Sequence, residues 1–88
     1  MIIVSRDAIN RNSSVVVCVP CTDAANCRKI YPSQLLLKKG MAGLDLDSVA
    51  MCEQIRAITI DRLQMQIGRL DLQSLRTLAD RIKIALDL

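Results

Sequence analysis

Eighty-eight residues with twelve Lys and Arg against nine Asp and Glu carry a net charge of +3, which permits nucleic-acid binding without demanding it and bounds the chain to a single domain over residues 1–88. Hydrophobic residues make up 51% of the chain, yet it has no Phe, Trp or His and one Tyr, Tyr31, so the core must be aliphatic and histidine acid–base chemistry is excluded. No apolar run approaches the roughly 18 residues of a membrane span, and Arg6 and Asp7 stand where a signal peptide has its apolar core; the chain reads as cytoplasmic.

Residues 1–5 are apolar from the first position and read as a strand with no leading turn. Residues 7–14 hold two Asn and two Ser beside the charges of Arg6 and Arg11, the composition of a linking loop. The run 15–21 is the most strongly β-branched of the chain, and Pro20 makes its end an edge or a bulge because proline cannot donate to a ladder. Thr22 marks the strand exit, and residues 22–29, with Asp23, Asn26, Arg28 and Lys29, read as a surface loop of the kind that holds functional groups. Residues 34–37 follow Pro32 as a short strand, and Gly40 and Gly43 mark a turn over 38–43.

Val49, Ala50, Met51 and Cys52 form an apolar run without alternation, which predicts a strand covered on both faces. Glu53, Gln54 and Arg56 then place a carboxylate, an amide and a guanidinium at the end of that rigid element, where they can read a polar ligand such as RNA or hold two subunits together. Residues 58–63 read as one more short strand. Leu72, Leu75, Leu78, Ala79, Ile82, Ala85 and Leu86 recur at helical spacing. Asp71 suits the N-cap of that helix, and Leu70 can pack on Leu75 as a hydrophobic staple. A chain this small is close to the size at which domains rely on oligomerisation, which predicts a dimer.

Cys18, Cys21, Cys27 and Cys52 raise a zinc reading, since C-x-x-C followed by two further thiols could supply four ligands. Residues three apart on an extended strand project to opposite faces, however, whereas a zinc knuckle needs a tight turn. The thiols are therefore expected to be small buried hydrophobes, with a metal or redox site as the lesser alternative. No metal and no other cofactor is expected.

The sequence has no Gly-rich phosphate loop, nucleophile elbow or paired-carboxylate motif. Cleavage of RNA by its own 2′-hydroxyl needs neither histidine nor metal, because the substrate supplies the nucleophile and the protein aligns it and neutralises phosphate charge. Guanidinium and threonine hydroxyl groups suit that task. Thr22, Arg28, Lys29, Glu53, Gln54 and Arg56 are the candidates; the alternative for each is a solvated loop or a structural strand end.

Four ordered segments resemble the MazF/PemK-type toxins of bacterial toxin–antitoxin systems. They are Ile2-Ile3-Val4-Ser5-Arg6-Asp7 with Asn10-Arg11; residues 15–22, ending Pro-x-Thr; Asp47-Ser48-Val49 through Glu53-Gln54-Ile55-Arg56 with Ile58 and Arg62-Leu63; and residues 67–70 with the helix ending Ile84-Ala85-Leu86. The resemblance implies a mainly β, α+β fold, a small SH3-like barrel-type antiparallel sheet with a C-terminal helix, assembled as a homodimer. It implies a metal-independent endoribonuclease that cuts single-stranded mRNA at short sequences and leaves a 2′,3′-cyclic phosphate. A cognate antitoxin is the implied partner, its acidic tail occupying the RNA groove, with operator DNA reached through the antitoxin. Thr22 takes the catalytic position in this scheme. Arg28, Lys29, Glu53 and Gln54 are assigned to RNA binding and Arg56 to the subunit interface.

The same resemblance places the family's catalytic arginine in an Arg-Pro pair ahead of the strand that begins here at Met1. The expectation is a chain shortened at its N-terminus, with a sheet edge exposed where the family's first strand would lie. The alternative function is a non-catalytic homologue that dimerises and binds antitoxin or RNA.

Overall fold

Pro20 divides the β-branched run of residues 15–21 into two strands that belong to different sheets. The computed structural model describes residues 1–88. In chain order it contains β1 (Ile2–Ile3), α1 (Asp7–Asn12), β2 (Val15–Val19), β3 (Cys21–Asp23), β4 (Gln34–Leu37), β5 (Ser48–Met51), β6 (Arg56–Thr59) and α2 (Leu72–Leu86). One antiparallel sheet has the order β1-β2-β6 and the other β3-β5-β4. The α+β class is borne out, in the form of two three-stranded sheets that do not close into a barrel. A proline with no N–H interrupts the ladder, so the chain changes sheets at residue 20. The Pro20 carbonyl accepts from the Met51 N–H at 2.9 Å and keeps the two sheets joined at that corner.

The central strand β5 is covered on both faces as expected: Ser48, Val49 and Ala50 are buried, as is Cys52 just beyond it. Val19, Leu37, Ala50, Cys52 and Leu78 form one core cluster, on which Ile2, Cys21, Leu35, Leu70 and Ile82 pack. Val16, Cys18 and Ile58 form a second cluster, closed by Leu63. Strand β2 alternates between the two: Val16 and Cys18 face the second cluster and Val19 the first.

Two elements differ from the sequence expectation. Residues 7–12 form helix α1 rather than a loop. The side chains that suggested a loop hold the helix: Asn10 Nδ2 donates to the Ser5 carbonyl at 3.0 Å and Asn12 Nδ2 to the Ala8 carbonyl at 2.8 Å. Asp7 and Arg11 pair at 3.9 Å along its exposed face, in the orientation that favours the helix dipole. The last strand is Arg56–Thr59, displaced toward the N-terminus from the expected 58–63, and Ile60–Arg62 forms a 3-10 turn. Ladder pairing with β2, which sets Val16 opposite Ile58 and Cys18 opposite Arg56, decides this register.

Helix α2 starts where expected, with the Asp71 carboxylate accepting from the Ser74 N–H at 3.1 Å. Hydrogen bonds from Ser74 hold the Asp71 carboxyl below its usual range. At the other end Asp87 adopts a left-handed conformation and the Leu88 N–H returns to the Lys83 carbonyl at 2.9 Å. The buried face is narrower than the apolar stripe: Leu78 is 1% exposed, but Leu72 is 64% and Leu75 40% exposed. Leu70 packs on the core as the chain enters the helix. Just before it, Gly68 lies against the turn of residues 41–43; a Cβ there would strike the Ala42 carbonyl, and one on Gly43 would strike that of Ile67.

Leu78→Ala is expected to cost about 2–5 kcal/mol, whereas Leu72→Ala stays within about 0.5 kcal/mol, read as urea-unfolding midpoints. Gly68→Ala should cost about 1–3 kcal/mol in the same assay, because backbone rather than a flexible side chain must move. A carboxyl whose folded pKa is lowered contributes stability above its unfolded value, and that contribution is lost as pH falls through the folded value. The stability difference between the native chain and Asp71→Asn should therefore narrow as the pH is taken from neutral to below the usual carboxylate range.

Candidate functional site

Thr22 lies within β3 and not in the loop after it, opposite Val49 of β5, and Asp23 is opposite Ser48 in the same ladder. Pairing with β5 extends the strand three residues beyond Pro20. Cys21, Ala50 and Leu35 share the face turned toward α2 and its core, so the alternation puts Thr22, Val49 and Leu36 on the opposite face. Strand β3 is an edge strand and Thr22 is half-buried in it. The register of β1, with Ile2 opposite Val19, brings the Met1 amino group beside Cys21, the residue next to Thr22.

After β3 the Asp23 carboxylate caps a 3-10 turn, Ala24–Asn26, by accepting from the Ala25 N–H at 2.9 Å. The Ala24 N–H donates to the Asp47 carbonyl at 3.0 Å, tying this turn to the start of β5. Arg28 and Lys29 follow, exposed as expected, and Lys29 Nζ stands 5.4 Å from the centre of the Tyr31 ring.

Glu53 and Gln54 lie in a 3-10 turn, Cys52–Gln54, that continues β5. The Glu53 carboxylate accepts from Gln34 Nε2 at 2.9 Å and from Ser33 Oγ at 3.4 Å, both at the start of β4. Gln54 Nε2 approaches Met51 Sδ at 3.6 Å. The six candidates do not converge on one point. Thr22 pairs with Val49 of β5, and Glu53 lies four residues further along the same chain segment, so a length of about 13 Å along the strand direction separates the two. Arg56 belongs to the other sheet, exposed on β6 opposite Cys18.

Sequence reading missed Ser33, Gln34 and Tyr31, which shape the surroundings of Glu53. The available signal was a Pro-Ser-Gln step opening a strand, since polar side chains there need a partner on the neighbouring strand.

The four cysteines are free thiols, Cys18 and Cys52 buried, Cys21 and Cys27 half-buried. No three Cys, Asp or Glu side chains come together as a metal-binding set. Burial pushes the Cys21 thiol up, opposed by the Met1 ammonium group. Burial also pushes Cys52 up, with Glu53 adding to the rise and Arg81 opposing it. No helix is long and apolar enough to cross a membrane.

A family model described as PemK-like, MazF-like toxin of type II toxin–antitoxin systems matches residues 1–86. Endoribonuclease MazF9 of Mycobacterium tuberculosis is 38% identical over 92 residues, an alignment that spans 99% of this chain and 76% of that protein. Endoribonuclease MazF of Staphylococcus saprophyticus is 31% identical over 88 residues, spanning 100% of this chain and 72% of that protein. The Mycobacterium tuberculosis toxin MazF-mt6 superposes with a TM-score of 0.86 at 26% identity, covering 99% of this chain and 84% of its own. A mycobacterial endoribonuclease solved in complex with its cognate antitoxin has a TM-score of 0.82 at 23% identity over 98% of this chain and 78% of its own, a likeness of fold.

Alkylation of the native chain with iodoacetamide should modify Cys27 and, more slowly, Cys21, whose raised pKa leaves less thiolate at neutral pH. Cys18 and Cys52 should react only after denaturant is added; peptide mass spectrometry checks both points.

Proposed function

We infer the activity from one premise: this chain belongs to the PemK-like, MazF-like family of type II toxin–antitoxin toxins and is an endoribonuclease of that family. We propose that it cuts single-stranded mRNA at short sequences without metal. The 2′-hydroxyl oxygen attacks the adjacent phosphorus, the bond to the 5′-oxygen breaks, and the products are a 2′,3′-cyclic phosphate and a 5′-hydroxyl. The observation that carries this reading is the position of Thr22 on an edge strand, on the face turned away from the helix-backed core.

In this mechanism the Thr22 hydroxyl donates to a non-bridging phosphate oxygen, where negative charge grows as the fifth bond forms. Arg28 and Lys29 hold neighbouring phosphates, and Glu53 and Gln54 contact the bases. The chain acts in the cytoplasm as a homodimer with Arg56 at the subunit contact, and exposed Met65, Ile67 and Leu72 offer apolar surface for partners. Its cognate antitoxin neutralises it by laying an acidic tail along the cationic rim; operator DNA is met only through that antitoxin.

Purified chain incubated with a mixed-sequence mRNA should yield 3′ ends carrying cyclic phosphate. Thr22→Ala is expected to lower the rate by about 100-fold or more with little change in the urea midpoint, the usual loss for one donor to a developing oxyanion. Arg28→Ala and Lys29→Ala should each flatten the dependence of RNA affinity on log salt by about 0.7. RNA left uncut but bound would replace this reading with the non-catalytic binding homologue.

A further inference from the structure

Tyr31, Pro32, Ser33, Glu53, Ile84 and Ala85 line an open depression of about 550 Å³, a size typical of small-ligand sites. Its polar wall is held from several directions. Residues 31–34 make a turn closed by the Gln34 N–H donating to the Tyr31 carbonyl at 2.9 Å, with Pro32 at its second position. The Cys52 N–H donates to the Ser33 carbonyl at 3.2 Å and fixes the turn to the end of β5. The Gln34 amide spans the site: its Oε1 accepts from the Tyr31 N–H at 3.1 Å and its Nε2 donates to Glu53 Oε2 at 2.9 Å. Ser33 Oγ donates to the other carboxylate oxygen at 3.4 Å.

An ionised carboxylate has about four acceptor positions, and these two bonds leave one free on each oxygen. Glu53 is thereby a positioned pair of acceptors. Beside it stand the ring of Tyr31, 55% exposed, and the apolar side chains of Ile84 and Ala85. Tyr31 is the chain's one aromatic residue; Lys29 Nζ stands over one face of its ring, and exposed aromatic rings stack unpaired bases in single-stranded RNA.

We propose that this depression is a subsite for guanine in the RNA substrate. The base stacks on Tyr31, and Glu53 accepts from its N1–H and N2–H together. The inference rests on the RNA-cleaving reading above and adds the identity of one recognised base. Guanine is selected because its Watson–Crick edge alone presents two adjacent N–H donors. Adenine and cytosine set an acceptor nitrogen beside their single amino group, and uracil sets a carbonyl on each side of its N3–H, so each turns a lone pair toward the carboxylate. Lys29, with its ammonium 5.4 Å from the ring centre, meets the phosphate flanking the stacked base.

With no other aromatic residue in the chain, the Tyr31 ring protons are an unlabelled NMR reporter of this site alone. The probe is a uridine hexamer with one central guanosine, 2′-O-methylated throughout so that it cannot be cut. Its titration should move the ring resonances to saturation. Replacing guanosine by inosine, which lacks the N2 amino group, should weaken binding about ten-fold, the loss of one hydrogen bond to a charged acceptor. Glu53→Gln should abolish the guanosine–inosine difference, and Tyr31→Leu should weaken both probes while keeping it. Ring signals unmoved by the guanosine probe, equal affinity for the two probes, or an undiminished preference in folded Glu53→Gln would overturn the proposal. Because nothing is cleaved in this titration, the two readings fail separately. Cleavage indifferent to guanine overturns the subsite alone; a ring that answers to guanine in a chain that cuts nothing supports the subsite and removes the cleavage reading.

Discussion

Pro20 has no N–H to give, and the single ladder bond it withholds splits one apolar run between two sheets. Its carbonyl still accepts from Met51, so the sheets stay joined at the point where they part. Val19 ends beneath α2, while Cys21 and Thr22 begin an edge strand on the far side of the corner. The ladder with β5 then sets Thr22 opposite Val49, and the ladder with β2 sets the chain start beside Cys21. The candidate rim inherits its geometry from this one missing donor.

The core behind that rim is small. Eleven of 88 residues are buried, and a domain of this size gains little margin from burial alone. Polar braces take up part of the task. Asp47 accepts from the Lys39 N–H at 2.8 Å through its carboxylate and from the Ala24 N–H at 3.0 Å through its carbonyl, so one residue holds the loops on both sides of β5. Gln34 does the same for Tyr31 and Glu53. These braces stand at the loops that carry the charged and aromatic groups and hold them from both ends. The apolar side chains left outside, Met65, Ile67 and Leu72 among them, continue the core outward to a surface that suits assembly.

Much of this was legible from residue order. The unalternating stretch ending at Cys52 announced a strand covered on both faces, because a solvated face would have alternated. The recurrence from Leu72 to Leu86 and the Asp71 cap located α2, because helical period and capping chemistry are local properties. The first loop misled for an equally local reason. Asn and Ser favour turns through side-chain bonds to the backbone, and here the same bonds, Asn10 to Ser5 and Asn12 to Ala8, hold a short helix.

Residue types and their order settled the aliphatic core, the family and the set of groups able to handle a phosphate, since each depends on composition or on spacing along the chain. Which of those groups share a site was decided only by the tertiary ladders. Glu53 meets Gln34, nineteen residues away, because β4 pairs with β5, and Thr22 stands apart from Glu53 because its register sets it opposite Val49, four residues earlier. Strand partnership joins residues distant in the chain through backbone bonds that any side chain allows, so no local pattern encodes it.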